Sequence, residues 1–247
     1  MKTSNKILWG LLIFILLVIT TLMVYIRVQW HTGKVELAGI EISDTRDIKP
    51  FTNLDISGGF EVYYSSDSIS FLNLTGDSAL VAMVETRQIN ENLEIRMDNF
   101  FSKKKRVKVY IHNKQLNELE ISAGSKFETE NLISGSDLEM DGSAGAEITL
   151  SVKYQSIELE GSAGSIITLS GECEELDISG SAGSIVNARE LISKICEINL
   201  TAGSIAKIHV EKELEVSASA GSIIKYAGNP KLKQLDLSAG ARIKSID

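Results

Sequence analysis

The chain has 247 residues, 43% of them apolar, with nineteen glycines, two prolines and a net charge of −8. That apolar share is ordinary for a folded protein and argues against disorder. Residues 1–27 hold Lys2, Lys6 and Arg27 and no acid, so the rest stands at −11, which argues against a nucleic-acid partner.

The first element is Ile7 to Ile26, "ILWGLLIFILLVITTLMVYI", twenty residues without a charge. A helix of that length spans about 30 Å, the hydrocarbon thickness of a bilayer. Trp9 and Tyr25 stand near its ends, where amphipathic rings favour the headgroup level. The run is longer than a signal-peptide core, and no A-x-A-like cleavage site or lipidation cysteine follows it. It is therefore predicted to be an uncleaved, single-pass signal anchor. Residues 1–6 form a cytoplasmic tail, 27–45 a tether, and the body lies outside the cytoplasm, in the periplasm or at the cell surface.

Residues 46–118 form a region of short strands: "FTNLDISGGFEVYYS" (51–65), "ISFLNLTG" (69–76), "LEIRM" (93–97) and "VKVYIH" (107–112). Residues 77–84, "DSALVAMV", predict one short helix capped by Asp77 or Ser78.

Residues 119–247 repeat themselves. A corner glycine recurs at Gly124, Gly145, Gly164, Gly183, Gly203, Gly221 and Gly240, about every nineteen residues, which is the mark of a solenoid. With each glycine as position zero, Ala fills −1 and Ser or Thr fills −2 in all seven. Large apolar residues pair at −7 and −5 (Ile157/Leu159, Leu176/Ile178) and again at +3 and +5 (Ile148/Leu150, Ile167/Leu169). Intervals of two are the strand period. The fold class is thus all-β: a single-stranded parallel β-helix of about seven coils behind a short-stranded β cap, with one amino-terminal transmembrane helix. The glycines are expected at positive φ. Ala at −1 is expected to point into the narrowest part of the cross-section, and the Ser or Thr at −2 outward. Position −3 holds Gly142, Gly161 and Gly180 but also Leu200, and its role stays open.

Position +2 holds Ile166, Ile185, Ile205 and Ile223 in four consecutive coils, with Lys126, Glu147 and Arg242 towards the ends. If +2 points outward, four stacked isoleucines form an apolar ridge about 15 Å long, a candidate interaction surface. The alternative is a corner that turns both +2 and +3 inward.

Chemistry-bearing patterns are few. His31, His112 and His209 are far apart, and zinc spacing, a calcium nonapeptide, a nucleophile elbow and a Walker sequence are all missing. Glu139, Glu158, Asp177, Glu197, Glu215 and Asp236 read as an outward acidic stripe at −6, a solvated face that resists aggregation. Cys173 at +9, in register with Tyr154 and Ile192, and Cys196 at −7, in register with Leu176 and Leu214, read as fillers of different core ladders. The run Lys103 to Arg106 reads as a solvated loop, or as a contact with anionic lipid or surface polymer. No residue is assigned to catalysis, a cofactor or a metal.

With those residues laid out, the chain resembles the bacterial GIN-domain family, described as the putative auto-transporter adhesin head domain. The resemblance runs through "RDIKPFTNLDISGGFEVYY" (46–64), "VKVYIHNKQLNELEISAGS" (107–125), the serial Ser-Ala-Gly corners and "KYAGNPKLKQLDLSAGARIKSI" (225–246). It implies an exported β-helical domain with an adhesive role and brings no catalytic residues. The expected function is a membrane-anchored, non-catalytic binding module. Its partner would be a cell-surface polymer or another envelope protein, and a homo-oligomer is open. The alternatives are a self-assembling envelope protein, disfavoured by the charged end coils and the strand cap, and a carbohydrate-active enzyme.

Overall fold

The computed structural model describes residues 16–23, 37–97 and 105–246. Of the predicted membrane span, Leu16 to Met23 are helical and exposed. The rest of that span, His31, and Lys103 and Lys104 lie outside the described residues. Among the described residues, no helix is long and apolar enough to cross a membrane.

The body is one 17-stranded sheet wound into a β-solenoid of about seven turns. Each turn has a strand entering a corner and a strand leaving it, and seven of the corners are Ser-Ala-Gly or Thr-Ala-Gly. The leaving strands stack in parallel: β7 (Lys108–Asn113), β3 (Glu61–Ser66), β9 (Lys126–Thr129) and the first parts of β11 (Glu147–Gly161), β12 (Ile166–Gly180), β13 (Ile185–Leu200) and β14 (Ile205–Ala218). They end with β15 (Ile223–Ala227) and β17 (Arg242–Ser245). The entering strands stack in step: β6 (Asn92–Arg96), β2 (Asn53–Ser57), β8 (Glu118–Ser122), β10 (Ile133–Gly142), the second parts of β11 to β14, and β16 (Lys231–Leu237).

Stack order is not chain order at the amino end. The β2–β3 turn lies between the β6–β7 turn and the β8–β9 turn. Its apolar residues Leu54, Ile56, Val62 and Tyr64 are consequently sandwiched and buried. The end is then closed by antiparallel strands: β4 (Phe71–Asp77) on β7, β1 (Glu41–Arg46) on β4, and β5 (Glu85–Ile89) on β6. Residues 41–45, expected within the tether, thus belong to the cap strand β1. The predicted helix shrinks to the single turn Ser78–Val81, with the Asp77 carboxylate accepting from the Ala79 amide. Its two oxygens also accept from the Ala38 and Gly39 amides at 2.9 and 2.8 Å.

Among the described residues, no strand or loop covers the last coil. Strands β16 and β17 are edges, and Leu232, Leu235 and Leu237 are 41%, 45% and 39% exposed although they continue inward ladders.

The corners resolve the repeated phrase. In all seven, both Ala and Gly have positive φ, for example 47° at Ala182 and 74° at Gly183. The amide at +1 donates to the carbonyl at −2, as Ser184 does to Ser181 at 3.1 Å. Two positive φ values closed by that bond describe a type I′ turn. The glycine amides of the first six corners donate in turn to the alanine carbonyl of the next corner, as Gly183 does to Ala202 at 3.1 Å, so the tips are stitched together. The alanines are exposed at these tips, which corrects their expected inward placement. The inward residue is the small one at +1: Ser125, Ser165, Ser184, Ser204 and Ser222 are buried, with Ala146 in the same column.

Position −3 also faces in. Leu200 leans across the space above Gly180, where a Cβ would stand 2.5 Å from Leu200 Cδ2. A glycine and a leucine in adjacent coils thus fill one volume.

The 20-residue coil between Gly183 and Gly203 accommodates its extra length through register shifts between β12 and β13 and between β13 and β14. Cys173 therefore pairs with Ser193, not with Ile192, and Ile192 and Ile195 are pushed outward to 43% and 39% exposure. Cys196 keeps its expected register with Leu176 and Leu214. Both cysteines are buried and free.

Candidate functional site

Positions +2 and +3 alternate across the sheet of leaving strands. Ile167, Val186, Ala206 and Ile224 at +3 are buried, whereas Ile166 at +2 is 39% exposed and Ile185, Ile205 and Ile223 are half-buried. The isoleucines pair in direct register, Ile166 to Ile185 to Ile205 to Ile223. The column continues through the ion-paired Glu147 and Lys126 at one end and Arg242 at the other. Both the register and the alternation follow from strand periodicity, since neighbouring side chains on a strand point to opposite faces.

Two positions farther along, at +4, stands a second outward column: Thr149, Thr168, Asn187, Lys207, Lys225 and Lys244. Sequence reading missed the three consecutive lysines. Their signal was the same period of nineteen, two residues beyond the isoleucines.

The sheet of entering strands carries the opposite charge. Glu118, Glu139, Glu158, Asp177, Glu197 and Glu215 form an unbroken column at −6. A parallel column at −4 runs Glu94, Asp55, Glu120, Asp141 and Glu160. Asp236 belongs to this second column, beside Ser217, and the −6 place of the last coil is Gln234. Burial, together with facing carboxylates, raises the pKa of Glu120, Asp141 and Asp177. Arg87 of β5 stands directly opposite Glu94, and Arg96, two positions beyond the −4 column, pairs with Asp55 and Glu94 at 2.6 and 3.1 Å. Shallow hollows of 210 and 120 Å³ lie over these carboxylates. Among the described residues no group of side chains is placed to hold a metal ion.

A third region is an open groove of 760 Å³ on the remaining side of the solenoid. Gly135, Tyr154, Cys173 and Ile192 line its floor, and the pairs Lys153–Glu172 and Lys194–Glu174 flank it. The Tyr154 hydroxyl is turned inward, donating to the Leu116 carbonyl at 2.7 Å. Burial pushes the Cys173 thiol up to about 12, so no thiolate is poised there.

The other sequence candidates are structural. His112 stacks on Phe71 at 4.2 Å and lies 3.4 Å from an Asp67 oxygen. Lys105 pairs with Asp77, and Arg106 donates to the Gly124 carbonyl at 2.8 Å. These two residues tie the cap to the first corner and do not form a free basic loop.

Comparison with known proteins agrees with this geometry. The solved structure of a putative adhesin from Bacteroides fragilis superposes with a TM-score of 0.80 at 17% identity, over 86% of this chain and 100% of that one. A putative adhesin from Parabacteroides merdae gives 0.68 at 18% identity, covering 86% and 99%. A structure described as a putative lipid binding protein from Parabacteroides distasonis gives 0.69 at 12% identity, covering 86% and 99%. At these identities the likeness is one of fold. No curated protein shows a significant sequence match. The family model described as "Putative auto-transporter adhesin, head GIN domain" matches residues 50–230, which takes in β4 and β5 of the cap, the inserted β2–β3 turn and six of the seven corners. The chain therefore belongs to the GIN-domain family.

Proposed function

We propose that the chain is a non-catalytic binding module, displayed outside the cytoplasm and held at the membrane by Ile7–Ile26, whose contact surface is the isoleucine ridge. The observation that carries this is the direct register of Ile166, Ile185, Ile205 and Ile223 on one outward column. Exposed apolar side chains in a contiguous strip mark interaction surfaces far more often than isolated ones do. A catalytic reading has less support, because the carboxylates line an outward face in two columns and no cleft closes over a pair of them.

The paired substitution Ile185→Ser with Ile205→Ser tests the reading. The domain should keep its cooperative unfolding while adhesion of cells bearing it falls. Loss of folding, or unchanged adhesion, removes the ridge as the contact surface.

A second reading, self-assembly, is favoured by the uncapped carboxy-terminal coil with its exposed Leu232, Leu235 and Leu237. With the amino end covered by β1, β4 and β5, pairing through these carboxy-terminal edges gives tail-to-tail dimers. Sedimentation of the chain and of Leu235→Glu separates a dimer from a monomer.

A further inference from the structure

We infer that the sheet carrying the isoleucine ridge docks on the surface of an anionic lipid bilayer; this rests on the ridge being a contact surface and names its partner. Three observations point the same way. The first is charge. In the +2 and +4 columns from β12 to β17 there is no carboxylate, while Lys207, Lys225, Arg242 and Lys244 stand beside Ile205 and Ile223. Among the described residues none of these four cations has an ion-pair partner, whereas Lys126, Lys153, Lys194 and Lys233 each have a glutamate.

The second is shape. Parallel strands at about 4.8 Å spacing make a flat face, and the hollows lie on other sides of the solenoid. A flat face offers little to a small ligand, which needs concavity, but fits a planar partner.

The third is the pairing of chemistries. A soluble polyanion would neutralise the lysines and leave the isoleucines in water. A bilayer interface takes both, with the isoleucines at the headgroup boundary and the lysine stems lying alongside with their ammonium groups on lipid phosphates. The acidic columns of the entering strands would be repelled by the same surface, which orients the molecule.

Both native cysteines are buried, so a single introduced cysteine can carry an environment-sensitive fluorophore. The full chain is labelled at Ile205→Cys and, separately, at Glu158→Cys on the acidic sheet. Each is mixed with phosphatidylcholine vesicles, with and without phosphatidylglycerol. Because each variant keeps the full chain, any attachment through its amino-terminal segment affects the two labels alike. The expected result is a blue shift at position 205 that requires phosphatidylglycerol, with none at 158. Lys207→Gln with Lys225→Gln, which leaves the core untouched, should raise the vesicle concentration needed by about tenfold or more. Equal shifts at both positions, equal response to both lipids, or no loss in the lysine pair overturns the proposal. If the isoleucine pair abolishes cell adhesion while the 205 label ignores every vesicle, the ridge remains the contact surface and lipid is refuted as its partner.

Discussion

Replacing glycine by alanine at two places on the same solenoid should have very different consequences. At Gly183 φ is 74°, and an added Cβ would meet nothing within 4 Å. The cost is then conformational only. A left-handed residue other than glycine loses about 1–2 kcal/mol, and the stiffer unfolded chain returns part of it, leaving about 1 kcal/mol. For a chain of this size that is a fall of about 2–4 °C in Tm. At Gly171 φ is 115° and the Cβ would stand 1.9 Å from the Val152 carbonyl oxygen, which is backbone of the adjacent coil. Neither strand can yield without breaking the β11–β12 pairing, so Gly171→Ala should lose more than about 3 kcal/mol and about 6–12 °C. The complementary change, Ala182→Gly, relieves the strain of an alanine held at 47° and should be neutral or stabilising by up to about 1 kcal/mol. Thermal and urea unfolding of the three variants provides the assay. Equal losses for Gly183→Ala and Gly171→Ala, or a destabilised Ala182→Gly, would refute the strained-turn account of the corners.

The column of buried serines gives a second contrast. Ser184 Oγ has no hydrogen-bond partner, whereas Ser204 Oγ donates to the carbonyls of Gly180 and Thr201 at 3.0 and 2.6 Å. Ser184→Ala should be neutral or stabilising and Ser204→Ala should lose about 1 kcal/mol in urea titrations, and the reverse order would contradict this hydroxyl assignment. Stability should rise as the pH falls from neutral. Glu120, Asp141 and Asp177 have folded-state pKa values above their unfolded ones, so the penalty on their charge is full at neutral pH and disappears on descent towards the unfolded values near pH 4. Asp77 works the other way: burial opposes its charge, but three backbone amides outweigh it and lower its pKa, so its contribution is lost only in stronger acid. Urea midpoints that fall steadily from pH 7.5 to 4.5 would refute this, and Asp141→Asn should flatten the rise. Burial pushes both thiols up, so Cys173 and Cys196 should resist alkylation in the folded chain and react at once in urea. Fast native labelling of either would contradict their placement.

The repeat was legible from residues 119–247 because its signal is local. A strand buries every second residue, and a tight corner demands a residue tolerant of positive φ, so period two on either side of a recurring glycine describes one coil of a solenoid. The outward direction of Ile185 and the inward direction of Ile167 follow from the same alternation. The acidic columns and the lysine column lie in that pattern too, and only their grouping by sheet needed coordinates.

What the tertiary structure alone decided is set by contacts between distant segments. That the β2–β3 turn inserts between β6–β7 and β8–β9 depends on which apolar surfaces find each other, and no local pattern encodes that choice. Residues 41–45 become a strand because β4 presents an edge to them, although their own composition reads as a linker. The orientation of the corner has a related cause. A two-residue turn closed by an i+3 hydrogen bond carries its central residues to the outside, so Ala182 is at the tip and Ser184 in the core. The extra residue that moves Ile192 out and brings Ser193 over Cys173 is visible as a 20-residue interval, but only the neighbouring coils determine where along the strand it is absorbed.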